Sequence, residues 1–147
     1  MTQPDFDKLW DYNNPEDTEN SFRELLPAAS ESGERDYLAQ LLTQIARTHG
    51  LRAQFDSAHE ILDQVKASFP PTVSLGEIRY LLERGRTYNS AKDTEQARAL
   101  FLEAFEKSKT ADHDYYTVDA AHMLGIVDKG KASLDWNEAA MEIAEAS

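Results

Sequence analysis

The sequence predicts an all-α protein, a solenoid of helical hairpins with about eight helices, and three observations carry that expectation. Apolar residues recur at intervals of three and four rather than two, the period of one helix face. Glycine and proline fall mainly between the periodic stretches, where short turns are needed. Small residues at Ala46, Gly85 and Gly125 return after thirty-nine and forty residues, and self-similarity at that period marks a stack of repeating units. No stretch reads as a strand.

Taken in order, a short helix is expected near Trp10. Asn14-Pro15 followed by Glu16 and Asp17 reads as the next start: Asn accepts from free amides, Pro suits the first turn, and the acids face the positive end of the dipole. This helix carries Phe22, Leu25 and Leu26 and is expected to end near Gly33, with Pro27 kinking or shortening it because proline removes a ladder bond. A helix from about Glu34 to His49 presents Leu38, Leu41, Leu42 and Ile45, and Gly50 sits where a left-handed cap is commonly needed. Its partner spans about Arg52 to Ser68, with Phe55, Ala58, Ile61, Leu62, Val65 and Phe69 as its stripe and Pro70-Pro71 as its stop. Ser74 with Glu77, and Asp93 with Gln96, have capping-box spacing, which sets helix starts near Leu75 and Thr94. The first of these presents Ile78, Leu81, Leu82, Gly85 and Tyr88; the second presents Ala97, Leu100, Phe101, Ala104 and Phe105. A last pair carries Val118, Ala121, Leu124 and Gly125, turns around Lys129-Gly130-Lys131, and resumes from about Leu134 to the end, with Asp114 expected to cap its first helix.

Superposing the pairs gives a second small slot at Ala58, Ala97 and Ala139. Bulky Leu62, Phe101 and Ile143 follow four residues later, and Val65, Ala104 and Ala146 three after those. Small residues let two helices cross closely while the bulky residue fills the neighbouring groove. The pattern resembles the tetratricopeptide repeat, best at Leu81, Gly85, Tyr88, Ala97 and Phe101, with Arg84 where the family has Leu. An earlier copy has Leu42, Ile45, Ala46, Ala58, Leu62 and Pro70, with His49 in the Tyr slot; the last keeps Leu124, Gly125, Ala139 and Ile143, while Ala121 and Asp128 depart from it. The resemblance implies a right-handed solenoid forming one domain over residues 1–147. A degenerate half repeat, 1–33, would precede repeats at about 34–71, 74–110 and 114–147, longer than the family's usual length and closer to the extended repeats of kinesin light chain and of bacterial peptide-sensing regulators.

Composition narrows function by exclusion. Of 147 residues, 41% are hydrophobic and the mean hydropathy is −0.61, ordinary for a globular chain. Fifteen Lys and Arg face 27 Asp and Glu, and a net charge of −12 repels phosphate backbones and anionic headgroups, so neither nucleic acid nor membrane is an expected partner. Most of this charge is expected to be solvated surface. With no cysteine, disulfides, thiolate zinc sites and cysteine nucleophiles are excluded. Met1 to Phe6 lacks a basic segment followed by an apolar one, and no run approaches roughly eighteen apolar residues, so a cytoplasmic location is the expectation. No Gly-x-Ser-x-Gly elbow, phosphate-binding glycine loop or zinc-protease helix is present, so neither enzyme activity nor a cofactor is expected. Asp112, His113, Asp114, Asp119 and His122 are metal-ligand types, but the two histidines are nine residues apart and lack the three-or-four spacing of a helical pair. His49 reads as a partly buried packing residue and His59 as an exposed one.

In the family's geometry the first helix of each pair lines a concave groove. The resemblance then places Gln40, Thr43 and Arg47, next Arg79, Leu82, Arg86 and Asn89, and last Asp119 and His122 on that surface. The three arginines suggest a local positive patch for an acidic or C-terminal peptide, since guanidinium pairs two-pronged with carboxylate, and Leu82 or Tyr88 would add apolar contact. The bland alternative is that Arg79 and Arg86 pair with Glu83 and Glu77 on their own helix. The lysine and asparagine clamp of chaperone-binding relatives is not reproduced.

The C-terminal stripe, Trp136, Ala139, Ala140, Ile143 and Ala144, reads as an apolar edge without a polar cap. The expected function is a module that binds a protein or peptide partner. The alternative is a self-associating scaffold piece of a longer array, with a homodimer through Trp136, Ala140 and Ile143.

Overall fold

The computed structural model describes residues 3–69 and 74–146, and every regular element among them is helical. A 3-10 turn, Phe6–Leu9, precedes seven α-helices: α1 (Pro15–Glu31), α2 (Arg35–Leu51), α3 (Phe55–Ala67), α4 (Leu75–Ser90), α5 (Thr94–Thr110), α6 (Asp114–Val127) and α7 (Lys131–Ala146). The helix expected near Trp10 is that 3-10 turn, so the described residues hold seven α-helices rather than eight. Four residues are too few to offset the cost of nucleating an α-helix, and the tighter 3-10 form closes such short pieces. None of the described helices is long and apolar enough to cross a membrane.

The capping residues act at the expected places. Ser74 Oγ accepts from the Glu77 amide at 3.2 Å, and Asp93 Oδ1 accepts from the Gln96 amide at 3.3 Å. Only half of each box forms, because the Glu77 carboxylate turns to Lys107 and Gln96 Nε2 donates to the Asp93 side chain instead. A further donor at the start of α4 is met from outside: Gly76 N–H donates to Asp36 Oδ1 of α2 at 2.8 Å. A Cβ on Gly76 would lie 2.8 Å from both Ala39 Cβ and Asp36 Oδ1, so this close approach of α4 to α2 requires glycine.

Several expectations are corrected. Asn14 precedes Pro15 as expected, but its side chain donates to Asp11 Oδ2 rather than capping α1. Pro27 sits inside α1 without ending it; Pro27 and Arg23, whose carbonyl loses its partner, lie on the exposed flank where water replaces the missing bond. His113, not Asp114, holds the cap position of α6. His59 is half-buried on Tyr88, with ring centroids 4.6 Å apart. The stop expected at Pro70-Pro71 lies outside the described residues.

The left-handed cap expected at Gly50 falls instead at Ala53 (φ 59°), because α2 runs on to Leu51. Lys92 (φ 66°) and Asp112 (φ 58°) hold the same place after α4 and α5. In each turn the next amide, of Gln54, Asp93 or His113, donates to the carbonyl five residues back at 2.9 Å, the closing bond of a Schellman motif. These tight connectors turn the chain back on itself, and each helix packs on its chain neighbours while α2, α4 and α6 lie side by side.

Two joined cores result. One gathers Phe6, Phe22, Leu41 and Ile45 around α1 and α2; the larger runs through α2 to α7. Ala46, Ala58 and Ala97 are fully buried, as are Leu62 and Phe101. Gly85 is where the closest crossing occurs, since an added Cβ would come within 2.4 Å of Phe101 Cε1.

The last pair breaks this register. Helix α7 starts at Lys131, three residues before the expected Leu134, and Gly125 lies against Asn137. Ala139 and Ile143 are only half-buried and Ala146 is exposed, whereas Ala140 is buried. The expected C-terminal edge is partly covered by α7's packing on the core. Trp136 packs edge-on against Phe105 (5.2 Å, 74°) and donates Nε1–H to Asp128 at 2.9 Å; Ala140 is 1% exposed, and Ile143 packs on the core. Of the three, Ala140 faces inward, while Trp136 and Ile143 pack on the core and stay partly exposed. The exposed side of α7 carries Asp135, Glu138, Glu142 and Glu145 beside Leu134 and Met141.

One half-buried carboxylate fastens α1 to the end of α2. Glu19 accepts from Arg23 Nε at 2.6 Å and from Arg52 Nη2 at 2.6 Å, and lies 3.0 Å from His49 Nε2. Burial alone would raise its pKa, but the bonds from Arg52 and Arg23 and the nearby His49 outweigh it and bring the value from 4.5 down to about 2. A depressed carboxylate pKa stabilises the fold above its ordinary pKa, and that contribution is lost as pH falls from about 4.5 toward about 2. Glu19→Gln is expected to lower stability by about 1–2 kcal/mol at pH 7, after allowance for solvent screening. In urea titrations the gap between the two chains should close on acidification; a gap that stays constant would refute the assignment.

Candidate functional site

On the face formed by α2, α4 and α6, three adjoining hollows share Arg47 and Arg86. The largest, of about 590 Å³, is lined by Tyr12, Arg47, Arg86, Asp114, Tyr115, Val118, Asp119, His122 and Ala144. A smaller one toward the helix C-termini, about 180 Å³, adds Gly50, Leu51, Glu83, Thr87, Asn89, Ser90 and Met123. The third, about 250 Å³, reaches Asp7, Gln44, Arg79, Leu82 and Tyr116. Arg79, Glu83 and Arg86 fall three and four residues apart on α4, so one face of that helix supplies the centre of all three.

Of the residues expected in the groove, Arg47, Arg79, Leu82, Arg86, Asn89, Asp119 and His122 line these hollows. Gln40 accepts from Arg79 Nη1 at 3.3 Å and donates to Asp36. Asn89 and His122 line hollows, and Asp119 binds Arg86 through both carboxylate oxygens at 2.6 and 2.5 Å. Thr43 lines none of the hollows, being 0% exposed with its hydroxyl donating to the Gln40 carbonyl, and Leu82, 1% exposed, gives the third hollow little surface. Tyr88 packs on His59 rather than in the groove.

The arginines do not form an uncompensated positive patch. Arg79 is 7% exposed, and its two terminal nitrogens donate to Asp7 at 2.9 and 2.7 Å, with the rings of Phe6 and Tyr116 at 5.5 and 5.7 Å. Burial alone would lower its pKa, but the bond to Asp7 raises it, so it stays charged. Arg86 donates to Glu83 at 2.9 Å as well as to Asp119. Burial opposes its charge too, and Glu83 and Asp119 outweigh that and hold it far above arginine's ordinary range. Glu83 was legible as a partner for Arg86 on its own helix. Asp7 was not, because 72 residues separate it from Arg79.

Arg47 is the exception. Its guanidinium lies over the rings of Trp10 and Tyr12, at 5.6 and 5.0 Å, and reaches Glu83 Oε1 only at 3.7 Å, beyond hydrogen-bond range. Glu83 is 4% exposed, and that same Oε1 has no hydrogen-bond partner, while its Oε2 accepts from Arg86 and from Gln44. A buried carboxylate oxygen left without a donor is costly. Groove residues that the repeat pattern did not mark include Glu83, Gln44, Tyr12, Tyr115 and Tyr116. Gln44 and Glu83 are thirty-nine residues apart, the repeat spacing itself, which is the signal that pairs them.

Among the described residues no group of three or more His, Asp or Glu side chains is arranged to hold a metal ion. Of the acids and histidines considered for one, His113 ends a turn, Asp119 holds Arg86, and His122 stands exposed. No family model matches the chain, and no curated protein or solved structure is matched by it.

Proposed function

We propose that the chain is a tetratricopeptide-type module, its hairpins stacked as a right-handed solenoid, that binds an extended peptide or a helix of a partner protein along α2, α4 and α6. The observation that carries this reading is the mismatched pair at the centre of the groove. Arg47 retains donors, Glu83 Oε1 retains a buried acceptor site, and the two stand 3.7 Å apart in an open hollow. A peptide group fits beside this pair, its carbonyl accepting from Arg47, and its N–H reaches Glu83 Oε1 once the Arg47 side chain moves aside. Exposed Tyr115 (78%) and Tyr12 (53%) at the rim supply apolar surface for the side chains on either side. The compensated charges at Arg79 and Arg86 argue for positioning by hydrogen bonds rather than attraction of a highly acidic segment.

An unbiased displayed-peptide selection against the full chain tests the reading. Enriched peptides are expected to shift the backbone amide signals of Arg47, Tyr115 and His122, and to bind about tenfold more weakly to Arg47→Ala and to Glu83→Gln, a loss of about 1.4 kcal/mol each. Failure to enrich any peptide, or equal binding by both variants, would refute it.

A further inference from the structure

We propose that the partner segment has the chemistry of the chain's own residues 6–10, an aromatic residue, a carboxylate beside it and an indole four positions beyond the aromatic, and that it binds by displacing them. This rests on the reading of the groove as a peptide site. Residues 4–12 form a strap along one face of α2, meeting Tyr37, Gln44 and Arg47, which are spaced seven and three apart, with Gln40 between them joined to the strap through Arg79. The Pro4 carbonyl accepts from the Tyr37 hydroxyl at 2.8 Å, and Phe6 sits edge-on to Tyr37 (5.4 Å) and Phe22 (5.9 Å). Asp7 takes both prongs of Arg79, the Trp10 indole donates to Gln44 Oε1 at 3.0 Å, and the Tyr12 ring stacks on that indole at 4.5 Å.

The strap has the anatomy of a docked ligand. Phe6 is 4% exposed, whereas Lys8 and Leu9 between the anchors face solvent. What it touches is held from elsewhere in the fold: Gln40 and Tyr116 flank Arg79, and Gln44 is fixed by Glu83 and Thr43. An apolar socket, a two-pronged guanidinium and an amide oxygen therefore stand in a set order, and they select aromatic, carboxylate and indole in that order. A segment from a partner with this pattern finds the same three groups, and its chain then leads toward Arg47 and Glu83. While the strap is seated the apparent affinity for that segment is lowered by the fraction of molecules in which the site is open.

The test uses the full chain and a fluorescein-labelled peptide with the sequence of residues 4–12, followed by fluorescence polarisation. Trp10→Ala removes one anchor of the strap and leaves every residue of α2, α4 and α6 unchanged, so it should bind the peptide about tenfold more tightly than the unmodified chain. Asp7→Lys, which sets a lysine against Arg79, should do the same and guards against a folding defect in the first variant, with helical circular dichroism confirming both folds. A peptide carrying Asn for its second Asp, the counterpart of Asp7, should bind about tenfold more weakly, as should the original peptide to the double variant Trp10→Ala/Arg79→Ala. The proposal is overturned if neither strap variant gains affinity or if the Asn peptide binds equally well. It is also overturned if the variants double in mass by light scattering while ignoring added peptide, because the occupant is then a second copy. Peptides selected without this pattern would sink the inference and leave the peptide-binding reading standing; no peptide of any kind would remove both.

Discussion

Replacing Arg86 with methionine should lower the unfolding free energy by about 3 kcal/mol, at the low end for removing one member of a buried ion pair. Arg86 is the cation held between two carboxylates on different helices, Glu83 of α4 and Asp119 of α6, and its side chain is 18% exposed. Without it, Glu83 keeps only the 3.3 Å bond from Gln44 and the distant Arg47, and its burial goes largely uncompensated. The cost should therefore be relieved by removing charge: adding Glu83→Gln and Asp119→Asn to Arg86→Met should recover most of the loss in urea titrations. A loss under about 1 kcal/mol for the single variant, or no recovery in the triple, would show that solvent reaches the pair more freely than its burial indicates.

The second large effect belongs to the helix crossing at Gly85. Phe101 is 0% exposed, and truncating it to alanine should cost about 3–5 kcal/mol through lost burial and the void left behind. Gly85→Ala should cost about 1–3 kcal/mol, because its Cβ would meet Phe101 Cε1 at 2.4 Å and the ring has close-packed neighbours. Combined, the two should not add. With the ring gone the new methyl has room, and alanine favours the helix over glycine by about 1 kcal/mol, so the double variant should be no less stable than Phe101→Ala alone. Thermal or urea unfolding of the four chains gives the coupling directly, and additive losses would refute the contact.

What was legible from the sequence tracks the distance over which each feature is decided. The starts of α4 and α5 depend on atoms three residues apart, Ser74 with Glu77 and Asp93 with Gln96, and local spacing predicts them. The end of α2 does not. Gly50 has the conformational freedom for a left-handed cap, yet the helix continues past it and Ala53 turns the chain, since the amide of Gln54 must reach the carbonyl of His49 for the turn to close. The repeat slots held where two hairpins have the same turn, at Ala58 and Ala97, and failed in α7, where the helix starts three residues early and Trp136, Ala140 and Ile143 take over the inner face. The arginines of the groove could be picked by residue type and period. Their charge state as a group could not, because Asp7 reaches Arg79 across 72 residues of chain and Asp119 reaches Arg86 from another helix.

The Asp7–Arg79 bond also bears on how the chain acquires its structure. It spans 72 residues, whereas the next longest hydrogen bond among the described residues, from Gly76 to Asp36, spans 40, and the other helix contacts join neighbours along the chain or, as between α2 and α4, helices one further on. Hairpins of adjacent helices can assemble quickly because little loop entropy is lost in closing each one. The strap has nothing to close upon until α2 and α4 already lie side by side with Gln40 next to Arg79. Its docking is then expected to come late in folding, and interactions formed after the rate-limiting step govern how fast a protein unfolds rather than how fast it folds. Seated, the strap acts as a latch on an otherwise serial assembly, tying the beginning of the chain to α4 and setting the lifetime of the folded state at that end.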